Sequence, residues 1–311
     1  MLKKKILPLV LTLVIILNCG FYANAANDND IARATRVLLQ SGWTQEDIDD
    51  LLTEEALLEF ANTEEALSQE KYYRVKDDTE VEEISEEQCE QEIAQIDMIE
   101  NIGGSVSPLS TIPVGTTTEI SGGTSYVKLN LYAYNAGYNA DGVREYVLSA
   151  RFEWLKSPVN REKDVFGLGH SANLDQKGNQ NDVYYVFKAN RTQVDSINHT
   201  TIKMSEYVTH TPTAIDVNTY GTAITQQLCG DVVNEPGVSL LYTNQKGYLQ
   251  YRAVVNNAGH VSVSICEQYY HRKSLFNGSI TASFKGDLTI SISKASEYER
   301  ITGNPYLQFE V

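Results

Sequence analysis

The densest set of side chains that could do chemistry lies between Phe152 and His170, where Arg161, Asp164 and the histidine fall within nineteen residues. Arginine polarises a substrate, while aspartate and histidine transfer protons. The neighbouring pattern favours a structural role. Alternation places Phe152 and Trp154 on one buried strand face, and the strand must end before Pro158 because proline lacks a ladder donor.

We therefore interpret Trp154, Pro158, Arg161 and Asp164 as a hairpin corner. Arg161 and Asp164 are close enough in sequence to form an ion pair across this corner. The returning strand is predicted from Asp164 to His170. His170, at its end, is the residue of this stretch that we would mutate first.

Other catalytic patterns are sparse. The chain has no His-Glu-x-x-His, Gly-x-Ser-x-Gly, P-loop or Cys-x-x-Cys motif. Ser291 and Lys294 have Ser-x-x-Lys spacing, but alternation places them on a strand, whereas that chemistry needs a helix start. We assign no catalytic residue and no cofactor, and this favours a non-enzymatic protein.

Two oxygen-rich loops are candidate calcium sites. They supply the candidate ligands Asp141, Asp175 and Asp182, together with neighbouring asparagines. Neither loop has the EF-hand register, and Lys177 would repel a cation. Turn chemistry explains both loops, and the five histidines show no zinc spacing, so no metal is predicted.

The first residues predict export. Three lysines precede an apolar run from Ile6 to Leu17 that is too short to cross a bilayer. Cleavage after Ala25 fits the small residues at positions 23 and 25. Acylation of Cys19 is the lipid-anchored alternative, although Asn18 before it is unusual for such a signal. After removal of the signal, no stable transmembrane segment is expected.

Export makes disulfides plausible. Three cysteines remain in the mature chain, and a Cys229–Cys266 disulfide is the pairing that we expect. Cys89 lies on the apolar stripe of a predicted helix, which indicates a small buried side chain rather than a reactive thiol.

Charge divides the mature chain. Residues 26–100 contain 23 acidic and 5 basic side chains, whereas residues 101–311 contain 18 and 17. A chain without clustered cations is a poor partner for nucleic acid and for anionic lipid.

Helical spacing and caps mark the acidic segment, residues 26–100. Gly42 ends a first helix, and Thr44 and Thr53 are N-caps of the next two. A further helix is predicted from Ser85 to Ile99. Residues 101–117 are rich in Gly, Ser, Thr and Pro, which predicts an exposed linker. The acidic segment is thus either a helical appendage or a removable propeptide.

From residue 118 to 311 the apolar period changes to two. Strands are predicted near residues 125–134 and 143–155, and three more form a meander with turns at Asn244–Gly247 and Asn256–Gly259. A last hairpin covers residues 280–292. The fold class predicted is mainly β, an antiparallel β-sandwich preceded by a small acidic α-helical segment.

Three stretches resemble uncharacterised secreted proteins of Gram-positive bacteria. They are the Trp-Leu-x-x-Pro segment at Trp154, the Tyr-x-His-x-Lys segment at Tyr269, and "LLQSGWTQEDIDDLL" from Leu38. The resemblance covers about a third of the chain. It implies export and a β architecture, and it implies no activity.

The leading hypothesis for function is an exported non-enzymatic protein whose β-sandwich binds a cell-surface polymer, a glycan or a protein. Its polar, tyrosine-rich strands suggest such a surface. The alternative is a β-pore-forming toxin, activated by loss of the acidic segment, with an inserting hairpin around residues 279–293. A hydrolase built from distant carboxylates is the third hypothesis.

Overall fold

The computed structural model describes residues 28–64, 66–102, 124–256, 259, 261–273, 280–286 and 288–311. The predicted signal peptide, with Cys19 and Ala25, lies outside the described residues. So does the predicted linker beyond residue 102.

Among the described residues, four α-helices precede or interrupt the first strands: α1 (28–40), α2 (Gln45–Leu51), α3 (Glu54–Leu58) and α4 (Glu86–Ile102). The strands are β1 (Ala66–Lys76), β2 (Glu80–Ile84), β3 (Thr124–Tyr138), β4 (Arg144–Lys156), β5 (Lys163–His170), β6 (Leu174–Gln176), β7 (Tyr184–Asp195), β8 (Thr200–Lys203), β9 (Tyr207–Thr209), β10 (Ala214–Asn218), β11 (Gly221–Gln227), β12 (Val232–Glu235), β13 (Val238–Val255), β14 (Ser262–Arg272), β15 (Ala282–Phe284), β16 (Ile290–Ile292), β17 (Tyr298–Arg300) and β18 (Tyr306–Glu310). Short 3-10 helices cover Gln180–Asp182 and Ala295–Glu297.

Antiparallel sheets pack together and confirm the predicted mainly β class. The first sheet has the order β2-β1-β3-β4-β13-β7-β8, with β6 and β12 also pairing with β13 and β9 with β7. The second has the order β10-β11-β5-β14-β17, with β18 also pairing with β14. A β15–β16 hairpin forms a third, small sheet.

The main core lies between the first and second sheets. Alternate residues of β4, namely Ala150, Phe152 and Trp154, are fully buried there, as the predicted stripe required. They meet Phe166 of β5 and Tyr269 of β14 from the second sheet. Period-two alternation thus produced a two-layer interior.

The small β15–β16 hairpin covers the outer face of the second sheet. The ring of Phe284 lies on Gly167 and Gly169 of β5, where an added Cβ would come within 2.6 Å and 2.3 Å of it. Both glycines therefore allow close approach of a ring, which is one of the roles that strand glycines serve.

Helices α1 to α3 form a compact unit on the outer face of the first sheet. The predicted caps are confirmed: Gly42 has φ +91°, Thr44 accepts from the Asp47 amide, and Thr53 accepts from the Ala56 amide. Trp43 of this unit packs against Tyr132 and Tyr248 of the sheet.

The helical description of residues 26–100 is wrong for residues 66–84, which form β1 and β2. Strand β1 pairs with β3 over eleven positions, from Ala66 opposite Tyr134 to Lys76 opposite Thr124. Propensity missed this hairpin because its Glu and Lys residues favour helix, and pairing with β3 overrides that preference. The acidic segment thus contributes two strands to the first sheet.

Carboxylates of the helical unit pair with cations of the first sheet. Asp47 lies 2.7 Å from Arg151, and Asp50 lies 2.7 Å from Lys246 and 2.9 Å from Lys188. Burial raises the pKa of Asp47, but the nearby charges outweigh burial and hold the pKa below its usual value. Part of the acidic excess is therefore matched by the sheet rather than by solvent.

The predicted meander turn at Asn244–Gly247 is wrong. Residues 238–255 form one strand, and its pairing with β7 shifts between Thr243 and Lys246. Asn244 has φ +47°, so the left-handed tolerance seen in the sequence produces a β-bulge instead of a chain reversal. Strands β13 and β14 then belong to different sheets.

No helix among the described residues combines the length and the apolar character needed to cross a bilayer.

Candidate functional site

The corner between β4 and β5 connects two sheets. Strand β4 lies in the first sheet and β5 in the second, so the hairpin predicted for Trp154, Pro158, Arg161 and Asp164 is wrong, although the returning strand is confirmed. A hairpin and an inter-sheet connection share the same turn residues, so sequence alone does not separate them.

Asp164 is the centre of a buried network at this corner. Its carboxylate accepts hydrogen bonds from the Tyr269 hydroxyl at 2.6 Å and from the Arg272 amide at 2.9 Å. The Tyr269 hydroxyl accepts in turn from Trp154 Nε1 at 2.9 Å. The predicted Arg161–Asp164 pair is wrong, because Arg161 extends instead to Asp231 at 2.5 Å.

His271 completes the network between two carboxylates. Its Nδ1 lies 3.1 Å from Asp164, and its Nε2 lies 3.1 Å from Asp78 in the β1–β2 turn. Burial lowers the pKa of His271, but Asp164 and Asp78 more than offset burial and raise the pKa to about 9. The imidazole is therefore a cation at neutral pH.

This network has no access for a ligand. Asp78, Asp164 and His271 are 5%, 1% and 0% exposed. Asp78 also accepts from the Asn160 amide at 2.8 Å, so the network ties the acidic segment to the corner and to β14. We interpret it as structural.

His170 is also enclosed. It is 0% exposed, its Nδ1 lies 3.1 Å from the Ser171 carbonyl, and its Nε2 has no hydrogen-bond partner among the described residues. Burial lowers the pKa of His170 and keeps the ring neutral. A substrate in solution does not reach it.

The three calcium candidates lie in different elements. Asp141 is in the β3–β4 turn, Asp175 is on β6, and Asp182 closes a 3-10 helix by accepting from the Asn179 amide at 2.8 Å. Within the described ranges, no group of three His, Cys, Asp or Glu residues gathers to hold a metal.

The predicted Cys229–Cys266 disulfide is wrong. Cys229 packs against the core between the sheets, whereas Cys266 lies on the outer face of the second sheet beneath the β15–β16 hairpin. A disulfide requires neighbouring Cα atoms, and these side chains are on opposite faces. The three cysteines within the described part of the chain are free, and burial raises the pKa of Cys89 to about 12, which fits the apolar role predicted for it.

One open site in the described part of the chain is a cleft between the helical unit and the first sheet, which we call the α3 cleft. Its volume is about 670 Å³. The lining residues come from α3 and its flanks, the β6–β7 connection, β7, β13 and His210: Thr53, Glu55, Ala56, Glu59, Lys177, Gly178, Asn181, Asp182, Val183, Tyr184, Tyr185, His210, Gln250, Tyr251 and Arg252.

Tyr184 fixes the wall of the cleft. Its hydroxyl donates to the Leu51 carbonyl at 2.8 Å and accepts from the Thr53 amide at 3.2 Å, so the tyrosine joins β7 to the start of α3. Its ring lies beside the exposed His210 ring, with centroids 6.0 Å apart and the ring planes tilted by 56°. Gln250 lies at the floor, where Nε2 donates to the Ala56 carbonyl at 3.5 Å.

The cations of the cleft are already paired. Lys177 and Arg252 both contact Glu145, at 2.6 Å and 3.0 Å, and Arg252 also contacts Glu59. The exposed rim beside them carries Glu55, Asn181 and Asp182, which are two carboxylates and an amide. Such a rim suits a ligand that presents hydroxyl groups better than it suits an anion.

The sequence predicts a loop around Asp182 and an N-cap at Thr53, but it does not predict that the two residues line the same cleft. Glu55, His210 and Gln250 come from three distant parts of the chain. The N-cap at Thr53 is the sequence signal that locates the start of α3, on one side of the cleft. The sequence does not indicate which strands form the other side.

No protein-family model matches the chain, and no curated protein matches it in sequence.

Proposed function

We propose that the protein is an exported, non-enzymatic binding protein that holds a neutral glycan in the α3 cleft. The observation that carries this proposal is the combination of two neighbouring rings, Tyr184 and His210, with a rim of carboxylates and an amide. Aromatic faces pack against the apolar faces of sugar rings, and carboxylates and amides accept from or donate to sugar hydroxyls.

Size and rigidity support the proposal. The volume of about 670 Å³ falls within the range of roughly 300–1,000 Å³ that small-molecule sites occupy. The Tyr184 hydroxyl bonds hold the wall to α3, so the site is formed before a ligand arrives. Preorganisation reduces the entropy that binding must overcome.

Export is the second part of the proposal. It depends on the signal sequence with cleavage after Ala25, or on a lipid anchor at Cys19, and it places the cleft where extracellular and cell-wall polymers occur. Mass spectrometry of the mature N-terminus distinguishes these processed forms, and an unprocessed Met1 would contradict export.

The binding test uses full-length secreted protein on a glycan array and on purified cell-wall polymers. We expect retention on a neutral glycan, and a loss of affinity of about tenfold or more in Glu55→Gln and in His210→Ala. Asp141→Asn, in the exposed β3–β4 turn, is the matched control and should bind as the wild type does. No retention on any polymer, or equal binding by all variants, would refute the proposal.

The pore-forming alternative stays a hypothesis with weaker support. The hairpin around residues 279–293 has strands of three residues each, Ala282–Phe284 and Ile290–Ile292, whereas a membrane-crossing strand needs about nine to eleven. Phe284 and Ile290 are also buried against the second sheet. We therefore place the glycan-binding proposal first.

A further inference from the structure

The first sheet extends past the sandwich core at one end. There β12, the start of β13, the end of β7 and β8 lie side by side, and we call these four strands the distal sheet. All residues of β8 and of β12 are exposed, and β7 leaves the core after Ala189. The second sheet does not cover this part.

The distal sheet carries exposed apolar side chains. Ile202 of β8 and Val232 and Val233 of β12 are 55%, 45% and 73% exposed, and Ile197 and Met204, on either side of β8 in the chain, are 67% and 39% exposed. Exposed apolar side chains on the unpaired edge strands of a sheet favour pairing with another chain.

Both edges of the distal sheet have unused backbone groups. Among the described residues, β8 pairs with β7 and β12 pairs with β13, and neither has a partner on its other side. Successive strands are antiparallel, so β8 and β12 run in opposite directions. A strand equivalent to β12 can therefore continue the sheet beyond β8 in the ordinary antiparallel manner.

The side chains of the two edges match in one register. Placing Lys203 opposite Asp231 brings a second cation to a carboxylate whose Oδ1 already contacts Arg161 and the Tyr242 amide. The same register sets Ile202 opposite Val232 and Thr201 opposite Val233. Such cross-strand pairs each stabilise a sheet.

The faces also agree in this register. Ile202 is opposite Gln193, Gln193 is opposite Leu240, and Leu240 is opposite Val232. Ile202 and Val232 therefore project from the same face of the sheet and meet when β12 of one molecule lies beside β8 of another.

We propose that the distal sheet is a self-association surface, on which β12 of one copy adds to β8 of the next. The occupant is a second copy because the chain itself supplies both complementary edges. The contact is heterologous, so it produces chains or rings rather than a closed symmetric dimer. Only about four residues from each copy take part, so the association is weak and concentration-dependent.

Mixed cysteine cross-linking tests the geometry. In a Cys229→Ser background, Ile202→Cys and Val232→Cys are made separately in the full chain. Under mild oxidation we expect a covalent dimer when the two proteins are mixed and little when either is alone. Cross-linking of either variant alone as readily as the mixture would indicate symmetric pairing and would overturn the proposal.

Sedimentation measures the association itself. Wild-type protein should show a weight-average mass that rises with concentration, and Val232→Lys and Lys203→Glu should raise the dissociation constant about tenfold or more. Val159→Lys, at an exposed valine outside the distal sheet, is the control and should associate as the wild type does. A monomer at every concentration, or variants that associate unchanged, would overturn the proposal.

Discussion

The Nε2 atom of His271 lies 3.1 Å from an Asp78 carboxylate oxygen, although 193 residues separate the two in the chain. Asp78 belongs to the acidic segment and His271 to the last strands of the second sheet. The contact therefore joins the beginning and the end of the fold through one buried charge.

Removing this charge should destabilise the whole protein. His271→Gln leaves the buried carboxylates of Asp164 and Asp78 without their cation, and breaking such a pair costs about 3–5 kcal/mol. Urea unfolding followed by far-ultraviolet circular dichroism measures the change. Asp141→Asn is the exposed control, and equal midpoints for both variants would show that the network contributes little.

The same histidine predicts a pH dependence. The folded-state pKa of about 9 exceeds the value of about 6.5 expected in the unfolded chain, so folding binds the proton more tightly. The stabilisation is complete below about pH 6.5 and is lost as the pH rises through 9. The difference in unfolding free energy between wild type and His271→Gln should therefore shrink across this window. A difference in unfolding free energy that stays constant from pH 6 to 10 would contradict this prediction.

The buried side chain of Glu267 predicts a second pH dependence of stability, which has a different cause. Its side chain is 0% exposed, and neither carboxylate oxygen has a hydrogen-bond partner among the described residues. Burial raises the pKa of Glu267 well above its ordinary value, and the charge of Arg151 opposes this shift without cancelling it. The folded state keeps the proton, so stability falls as the pH rises above about 4.5, the unfolded-state value.

Glu267→Gln should consequently stabilise the protein at pH 7, by about 1–3 kcal/mol, and flatten the decline in stability above pH 4.5. Glu145→Gln is the matched comparison. Glu145 is also buried but pairs with Lys177 and Arg252, so its variant should be destabilised. Destabilisation by Glu267→Gln at pH 7 would mean that the carboxylate has a partner in solution.

The propeptide hypothesis acquires a specific expectation from the β1–β3 pairing. A single proteolytic cut within residues 101–117 breaks the covalent link between the acidic segment and the rest of the chain. The eleven paired positions of β1 and β3 and the Asp47–Arg151 contact should continue to hold the two fragments together. The two fragments should co-elute in native gel filtration and separate in denaturant. Elution of a free N-terminal fragment without denaturant would show that the segment leaves on cleavage.

Sequence signals predicted the structure correctly where the underlying interaction involves only residues that are close together in the chain. Thr44 and Thr53 begin helices and Gly42 ends one, as predicted, because a cap depends on a hydrogen bond or a φ angle within a few residues. Alternation likewise identified the buried face of Phe152 and Trp154.

Predictions that depended on long-range pairing fared worse. Asn244 tolerates positive φ in a turn and in a bulge alike, and the presence of β7 decides between them. The separation of Cys229 and Cys266 in sequence would allow a disulfide, but the two side chains pack on opposite faces of the second sheet. The α3 cleft was not predictable, because β13 supplies Gln250 from nearly two hundred residues away from Ala56.

Hydrogen–deuterium exchange of the full-length protein, with and without the glycan that it retains most strongly on the array, tests the central claim most directly. Ligand in the α3 cleft should slow exchange of amides in residues 53–59 and 178–185, with little change in the distal sheet. Protection confined to other parts of the chain, or none at saturating glycan, would contradict the assignment of the cleft as the binding site.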